Sequence, residues 1–371
     1  MTILFFIGTR PEAIKMAPVI HKFREFEYIE VKVCLTSQHQ ELLLTAVDFF
    51  EIHYEFNLNL MKPNQSLPEL TSKIITETDK VIKQVDPDVV FVQGDTTTAF
   101  AASLASFYNK VKICHIEAGL RTGNKLEPYP EEINRGLISK LTDIHFAPTE
   151  QAKLNLLKEN IKKESIVVTG NTVIDSLFYT MNKMGSQSHF ESKYQNYVQA
   201  NHKLILVTGH RRENHGEGLK NICLALNQVS KFPDVKIIWP VHPNPNVLKA
   251  INQHLEGNEK IKLVESLEYE EFVWLMHKSF LVITDSGGVQ EEAPSLGKPV
   301  LVTRNFSERL EAVEAGTVIL VGTNTDKIVT ETENLLNNRG LYERMSQTHN
   351  PYGDGKAAEK ICNFLIQEQN K

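Results

Sequence analysis

The 371-residue sequence predicts an α/β protein of two similar halves, each built on a parallel sheet. Three observations predict it. Short apolar runs alternate with helical patterns from end to end. The rhythm breaks once and restarts near residue 203. The residues directly after the apolar runs are rich in Gly, His and charge, as the ligand-facing strand ends of an open parallel sheet are. The length itself suits two domains of roughly 100 to 200 residues each.

In the first half the strand candidates are Ile3 to Ile7, Val31 to Leu35, Val89 to Val92, Ile113 to Ile116, Ile144 to Ala147 and Ile166 to Val168. Each is short, continuous and flanked by polar residues, the form of a strand buried on both faces. The first run lacks a basic flank before it and meets Arg10 soon after, so it is too short for a signal peptide or a membrane span. Tyr179 to His202 is polar, carries Gly185 and three Ser, and shows no strand signal, which marks the boundary there. The second half then offers Leu204 to Val207, Ile237 to Trp239, Ile261 to Val264, Leu281 to Ile283, Pro299 to Val302 and Val318 to Val321. A last helix, Lys356 to Gln369, follows a Gly-rich turn.

Forty Lys plus Arg against 46 Asp plus Glu give a net charge of -6, with 23% charged and 41% hydrophobic residues. That balance disfavours disorder and a nucleic-acid-coating surface. An anionic ligand must then be held by local cations and backbone dipoles, because the global field is weakly repulsive. Cys34, Cys114, Cys223 and Cys362 form no CxxC or CxxH pair, so neither a disulfide framework nor a zinc knuckle is indicated. The expectation is a cytoplasmic protein with no metal, no nucleic-acid partner and no membrane contact.

Thr9-Arg10-Pro11-Glu12 reads as a strand-to-helix junction, with Thr9 as N-cap and Glu12 reaching back. Arg10 and Lys15 add two cations near a helix N-terminus that already favours anions, which favours a phosphate site over a plain well-made helix start. Thr284-Asp285-Ser286-Gly287-Gly288 is the more specific signal: paired glycines after a strand let a phosphate approach backbone N–H groups at a helix start. One turn on, Glu292 suits two neighbouring ribose hydroxyls. Neither GxGxxG nor GxxxxGK[ST] occurs, which counts against a nicotinamide and a P-loop. His210, beside Arg211 and Arg212, and His242, in a Pro-fixed turn, complete the cationic strand ends. Asp95, Glu117 and Glu131 lie in or near successive strand ends, and Asp95 and Glu117 follow adjacent strands, which should bring them close. Grouped carboxylates of this kind form general acid–base sets, although Glu131 four residues before Arg135 also fits a surface ion pair.

With these residues in view, the sequence resembles the bacterial non-hydrolysing UDP-N-acetylglucosamine 2-epimerases. The resemblance is carried by GTRPEAIKMAP at 8–18, QGDTTT at 93–98, HIEAGLRT at 115–122, PEEINR at 130–135, VTGHRREN at 207–214, VHPNP at 241–245, TDSGGVQEEAPSLGKPV at 284–300 and NPYGDG at 350–355. It implies the glycosyltransferase B-type fold, two Rossmann-like domains with parallel sheets facing a crevice. The first would span 1–178, with the C-terminal helix at 356–371 crossing back to it, and the second 179–355. It also implies a homodimer, no cofactor, and UDP-N-acetylglucosamine and UDP as the small-molecule partners.

Chemistry narrows how such a reaction runs. The proton on sugar carbon 2 is not next to a carbonyl, and oxidation at carbon 3 would need the nicotinamide whose fingerprint is missing. Loss of UDP from carbon 1 is the remaining route, giving a glycal that is reprotonated on its other face. By resemblance, Asp95, Glu117 and Glu131 are the catalytic carboxylates and His210 supports the leaving UDP. Arg10, Lys15, Arg135, His242, Ser286, Gly287, Gly288, Glu292 and Arg309 are then the substrate-binding residues.

The sequence departs from the family in three places. Some members bind UDP-N-acetylglucosamine a second time as an activator, through a Gln-His segment and an Arg. Here Glu41 stands where a Gln is typical and Asn64 where those members carry Arg, and both changes oppose a second nucleotide sugar. Leu310 replaces the usual Pro beside Arg309. The alternatives weighed against the epimerase are a 2-epimerase of a modified UDP sugar, a UDP-sugar glycosyltransferase, a hydrolysing relative and a catalytically silent sensor.

Overall fold

The structure, a computed structural model, describes residues 1–36, 40–61, 65–185, 189–209, 214, 216–241, 245–305 and 309–369. The chain divides into two compact units. The first comprises Met1–Ser176 with Tyr352–Lys371, the second Leu177–Pro351.

The first unit runs β1 (Thr2–Ile7), α1 (Arg10–Arg24), β2 (Glu30–Leu35), α2 (Gln40–Phe49), β3 (Phe56–Asn57), α3 (Leu67–Val85), β4 (Val89–Gln93), α4 (Thr97–Tyr108), β5 (Lys112–Ile116), α5 (Glu131–Leu141), β6 (Ile144–Ala147), α6 (Glu150–Lys158) and β7 (Ile166–Val168). Helix α7 (Thr172–Met184) begins in this unit and ends in the next. The second continues with α8 (Phe190–Tyr194), β8 (Lys203–Thr208), α9 (Glu217–Val229), β9 (Val235–Pro240), α10 (Pro245–Leu255), β10 (Ile261–Val264), α11 (Tyr269–Lys278), β11 (Leu281–Thr284) and α12 (Gly287–Ser295). It closes with β12 (Val300–Val302), α13 (Leu310–Ala315), β13 (Val318–Leu320), α14 (Thr325–Asn337) and α15 (Arg339–Gln347), before α16 (Ala357–Gln369).

Both sheets are parallel and doubly wound, in the orders β3-β2-β1-β4-β5-β6-β7 and β10-β9-β8-β11-β12-β13. The expected fold class is therefore present in each unit. The apolar runs become strands because helices cover both faces of each sheet, so every side chain in Ile3–Ile7 is buried. Phe5 of β1 stacks on Phe91 of β4 with ring centroids 4.8 Å apart, and Phe23 of α1 closes over them. Burying one such side chain contributes roughly 1.5–3 kcal/mol. In the second unit, Ile205, Val207, Ile237, Trp239 and Ile283 pack against Ile222, Leu226 and Val229 of α9 and Ile328 of α14.

Two details differ from the sequence expectations. Strand β3 is only Phe56–Asn57, paired with Cys34 and Leu35, too short to register as an apolar run. Pro299 precedes β12 rather than opening it. Lacking an N–H it cannot donate to the ladder, although its carbonyl accepts from Val282 at 3.0 Å.

The C-terminal residues complete the first unit. Asn171 N–H donates to the Tyr352 carbonyl at 2.7 Å. Asp175 accepts from the amides of Ala357 and Ala358 at 3.2 and 2.9 Å, capping α16. Phe364 of α16 meets Phe146 of β6 edge-on.

Candidate active site

In the first unit the strand order reverses between β1 and β4, so the turns after these strands leave the sheet in opposite directions and open a switch point. Backbone approach there is close. A Cβ on Gly8 would lie 2.1 Å from Thr98 Oγ1, so only glycine fits after β1. Thr9 caps α1 as expected, and Arg10 follows as its first residue.

Asp95 and Glu117 follow the neighbouring strands β4 and β5, paired through Gln93 and Ile116. Arg135 of α5 donates to Asp95 Oδ2 through Nε at 2.8 Å and Nη2 at 2.7 Å, and Asn134 Nδ2 holds the Asp95 carbonyl at 2.9 Å. The other side of the Arg135 guanidinium meets Glu132 at 2.9 Å. Glu132 in turn accepts from the amides of Thr122 and Gly123. The acidic partner on its own helix is thus Glu132, three residues away, rather than Glu131. Glu131 sits half-buried in the first turn of α5, with no hydrogen bond or ion pair among the described residues.

Glu117 is 8% exposed and adopts φ of 65°, a left-handed conformation that costs a non-glycine residue on the order of 1–3 kcal/mol. Its carboxylate accepts from Lys15 Nζ at 2.5 Å, from Gln93 Nε2, and from Asn171 Nδ2 at 3.4 Å. Lys15, expected as a nucleotide cation, is therefore joined to an expected catalytic carboxylate. Two residues before Glu117, burial pushes the His115 imidazole down to about 3, so it is neutral, with Nε2 against the Gly94 carbonyl at 2.7 Å.

Glu12 is a functional candidate whose sequence signal is that of a helix cap alone. It is fully buried, and burial raises its carboxyl to about 7. It accepts from the Gly8 amide, from Thr9 Oγ1 and, across the switch point, from Thr96 Oγ1 at 2.7 Å.

In the second unit Ser286 is the N-cap of α12, with Gly287 and Gly288 as its first residues. Gly288 is not in the left-handed region, and a Cβ there would meet only Glu292 Oε2 at an ordinary 3.7 Å. The fold does not demand glycine at this point, whereas a close-approaching anion would. Glu292 is buried and accepts from Tyr269 Oη at 2.6 Å, a partner with no sequence signal. Arg309 is buried too, its Nε donating to Glu291 Oε1 at 2.8 Å. His210 and His242 lie outside the described residues, as do Asn64 and Gln38-His39, this chain's counterpart of the Gln-His segment.

Among the described residues, no group of three or more His, Cys, Asp or Glu is arranged to hold a metal ion, and no helix is long and apolar enough to cross a membrane. The four cysteines are unbridged and buried.

A family model described as UDP-N-acetylglucosamine 2-epimerase matches residues 21–366. The UDP-N-acetylglucosamine 2-epimerase of Yersinia pestis is 47% identical over 374 aligned residues, covering 100% of this chain and 99% of its own. A crystal structure of the Neisseria meningitidis UDP-GlcNAc 2-epimerase bound to UDP-GlcNAc is 50% identical with a TM-score of 0.92, covering 99% of this chain and 100% of that one. The Methanocaldococcus jannaschii UDP-GlcNAc 2-epimerase, in complex with UDP-GlcNAc and UDP, is 35% identical with a TM-score of 0.84, at 99% and 100% coverage.

Proposed function

The chain belongs to the UDP-N-acetylglucosamine 2-epimerase family, and from that premise we propose that it interconverts UDP-N-acetylglucosamine and UDP-N-acetylmannosamine without releasing the free sugar. A base takes the proton from carbon 2, its electron pair forms the carbon 1–carbon 2 double bond, and the carbon 1–oxygen bond breaks to UDP. The 2-acetamidoglucal is then protonated at carbon 2 on its other face while UDP oxygen returns to carbon 1. Atoms balance without an added oxidant.

Removal and return on opposite faces call for acid–base groups held in distinct places. The observation that carries the reading is the pair of carboxylates on adjacent strand ends, Asp95 anchored by Arg135 and Glu117 anchored by Lys15. Glu131, at the start of α5, is the third member of the set. Arg135 keeps its assignment to the substrate site and fixes Asp95 in addition; Lys15 does the same for Glu117. In the second unit, Ser286, Gly287 and Gly288 receive phosphate on the α12 N-terminus, Glu292 takes the ribose hydroxyls, and Arg309 supplies charge. His210 supports the leaving UDP and His242 binds it.

A second copy of this chain is part of the proposal. Tyr129, Ile133 and Leu137 recur every four residues leading into and along α5 and are exposed, as are Phe107 and Tyr108 at the end of α4. A partner helix would cover such an apolar stripe. The enzyme would act in the cytoplasm, supplying surface polysaccharide synthesis.

The test is proton NMR of the purified protein with UDP-N-acetylglucosamine in deuterated water, with no metal or nicotinamide added. The expected result is UDP-N-acetylmannosamine bearing deuterium at carbon 2. Accumulation of UDP and free N-acetylmannosamine would make it a hydrolase. An unchanged spectrum with binding retained would point to a modified sugar or to a sensor.

A further inference from the structure

Two helices of the first unit begin with the same local pattern. Thr9-Arg10-Pro11-Glu12 opens α1, and Ser66-Leu67-Pro68-Glu69 opens α3. At α3 the pattern is an ordinary capping box on the surface: one oxygen of exposed Glu69 accepts from the amide and hydroxyl of Ser66. At α1 the corresponding carboxylate is buried and reaches further, its amide donor being Gly8, one residue before the cap. Glu12 Oε2 accepts from Gly8 N–H at 3.0 Å and Thr9 Oγ1 at 2.8 Å, while Oε1 accepts from Thr96 Oγ1, 84 positions away, at 2.7 Å.

Capping α1 does not require this reach, and burying a carboxylate is costly enough to raise its proton affinity toward neutrality. The side chain instead joins the two turns that flank the switch point. Each anchor stands next to a residue of the proposed site: Thr9 before Arg10, and Thr96 after Asp95. Thr96 also caps α4 by accepting from the Ala99 amide at 3.0 Å, so Glu12 grips the start of α4 as well.

We propose that Glu12 is a positioning residue for the epimerisation, its carboxylate setting the Gly8–Arg10 turn and the Asp95–Thr96 turn in one arrangement on which proton transfer depends. The inference rests on the reading of Asp95 as a member of the acid–base set. Length is the critical property. Gln keeps it, with its carbonyl accepting from Gly8 and Thr9 and its amide donating to Thr96 Oγ1. Asp retains charge and suits a helix start, but is one methylene too short to span both turns. A displacement of about 1 Å can cost roughly 10²-fold in rate.

The experiment compares Glu12→Asp, Glu12→Gln and Thr96→Val with the parent in steady-state epimerisation, with Thr96→Ser as the control that keeps the hydroxyl. Expected are a kcat lower by roughly 10- to 100-fold in Glu12→Asp with KM within about twofold, and near-parent turnover in Glu12→Gln and Thr96→Ser. The Glu12→Asp and Thr96→Val double variant should be little worse than Thr96→Val alone, which breaks the same connection and removes the α4 cap besides. Parent-like Glu12→Asp, or additive losses, would overturn the proposal. Amide hydrogen exchange at Gly8 and Ala99 needs no turnover: faster exchange at Ala99 in Glu12→Asp supports the link, and unchanged exchange overturns it. A folded parent that shows the link yet does not epimerise would refute the epimerase reading and leave the coupling standing. Should Glu12→Asp fail to fold, Thr96→Val against Thr96→Ser decides by kcat and by exchange at Gly8, across the link from the substitution: faster exchange and lower kcat in Thr96→Val support the proposal, and parent-like values of both overturn it.

Discussion

Arg135 holds Asp95 through two nitrogens on one carboxylate oxygen, Nε at 2.8 Å and Nη2 at 2.7 Å, while its third nitrogen is drawn back by Glu132. The guanidinium therefore acts as a fixed fork rather than a mobile charge. A lysine in its place keeps the charge and loses the fork. Arg135→Lys is expected to lower kcat by roughly 10- to 150-fold, the equivalent of about 1.5–3 kcal/mol for a hydrogen bond to a charged group. Steady-state kinetics with circular dichroism would check it; an unchanged kcat in a folded variant would detach Arg135 from Asp95's function.

Glu117→Gln removes the charge that Lys15 pairs with and the capacity to take or give a proton. Turnover should fall by roughly 10² to 10⁴, the usual span for a general acid or base. The amide is nearly isosteric, so the thermal midpoint should move little. Retained activity in that variant would exclude Glu117 from proton transfer.

The Tyr269 hydroxyl on Glu292 predicts a binding effect rather than a chemical one. Tyr269→Phe removes one hydrogen bond that orients the carboxylate. UDP affinity by isothermal titration should weaken roughly threefold to tenfold, with kcat at saturating substrate close to that of the parent. A fall in kcat with affinity intact would contradict this division.

Asp175 predicts a pH dependence of stability. Burial raises its carboxyl from 3.8 to about 6, against the opposing amides of Ala358 and Ala357. A proton held more tightly in the folded than in the unfolded chain stabilises fully below pH 3.8, and that contribution disappears as the pH rises through about 6. A rise from 3.8 to about 6 corresponds to about 3 kcal/mol, of which about half falls between pH 5 and 7. Asp175→Asn cannot titrate. Its stability relative to the parent should therefore improve across that interval, as read from paired urea unfolding curves; a constant difference would refute the assignment.

Glu41 and Asn64, departures from the Gln and Arg that the family resemblance leads one to expect, predict an enzyme that needs no activating nucleotide sugar. Reaction started from UDP-N-acetylmannosamine alone should begin without a lag, and initial rates should follow a simple hyperbola in either direction. A lag abolished by traces of UDP-N-acetylglucosamine would show that activation persists.

Much of the fold was legible because parallel strands covered on both faces read as unbroken apolar runs, as Ile3–Ile7 and Val89–Val92 do. Thr9 was legible as a cap because the cap is made within four residues. What escaped depends on distance along the chain. Arg135 reaches back 40 positions to Asp95 and Tyr269 reaches forward 23 to Glu292, and no local pattern encodes either. Glu131 and Glu132 illustrate a finer limit. Spacing of four residues suggested Glu131 as the ion-pair partner of Arg135, but helix phase and the amides of Thr122 and Gly123 draw Glu132 into that position. Glu12 shows the opposite case: its local role was readable, and its second oxygen was not.

The first compact unit borrows its last helix from the far end of the chain, through Tyr352, Asp175 and Phe364. On the ribosome, the half that emerges earliest is thus the one that must wait longest. Leu177–Pro351 is contiguous and can close as it appears, whereas Met1–Ser176 stays without its cover until synthesis has passed residue 369. A nonsense mutation a few codons past residue 351 would spare the half proposed to hold the nucleotide and strip the half that carries the carboxylates, so on that reading late truncations should yield chains that still bind UDP weakly but are prone to aggregate.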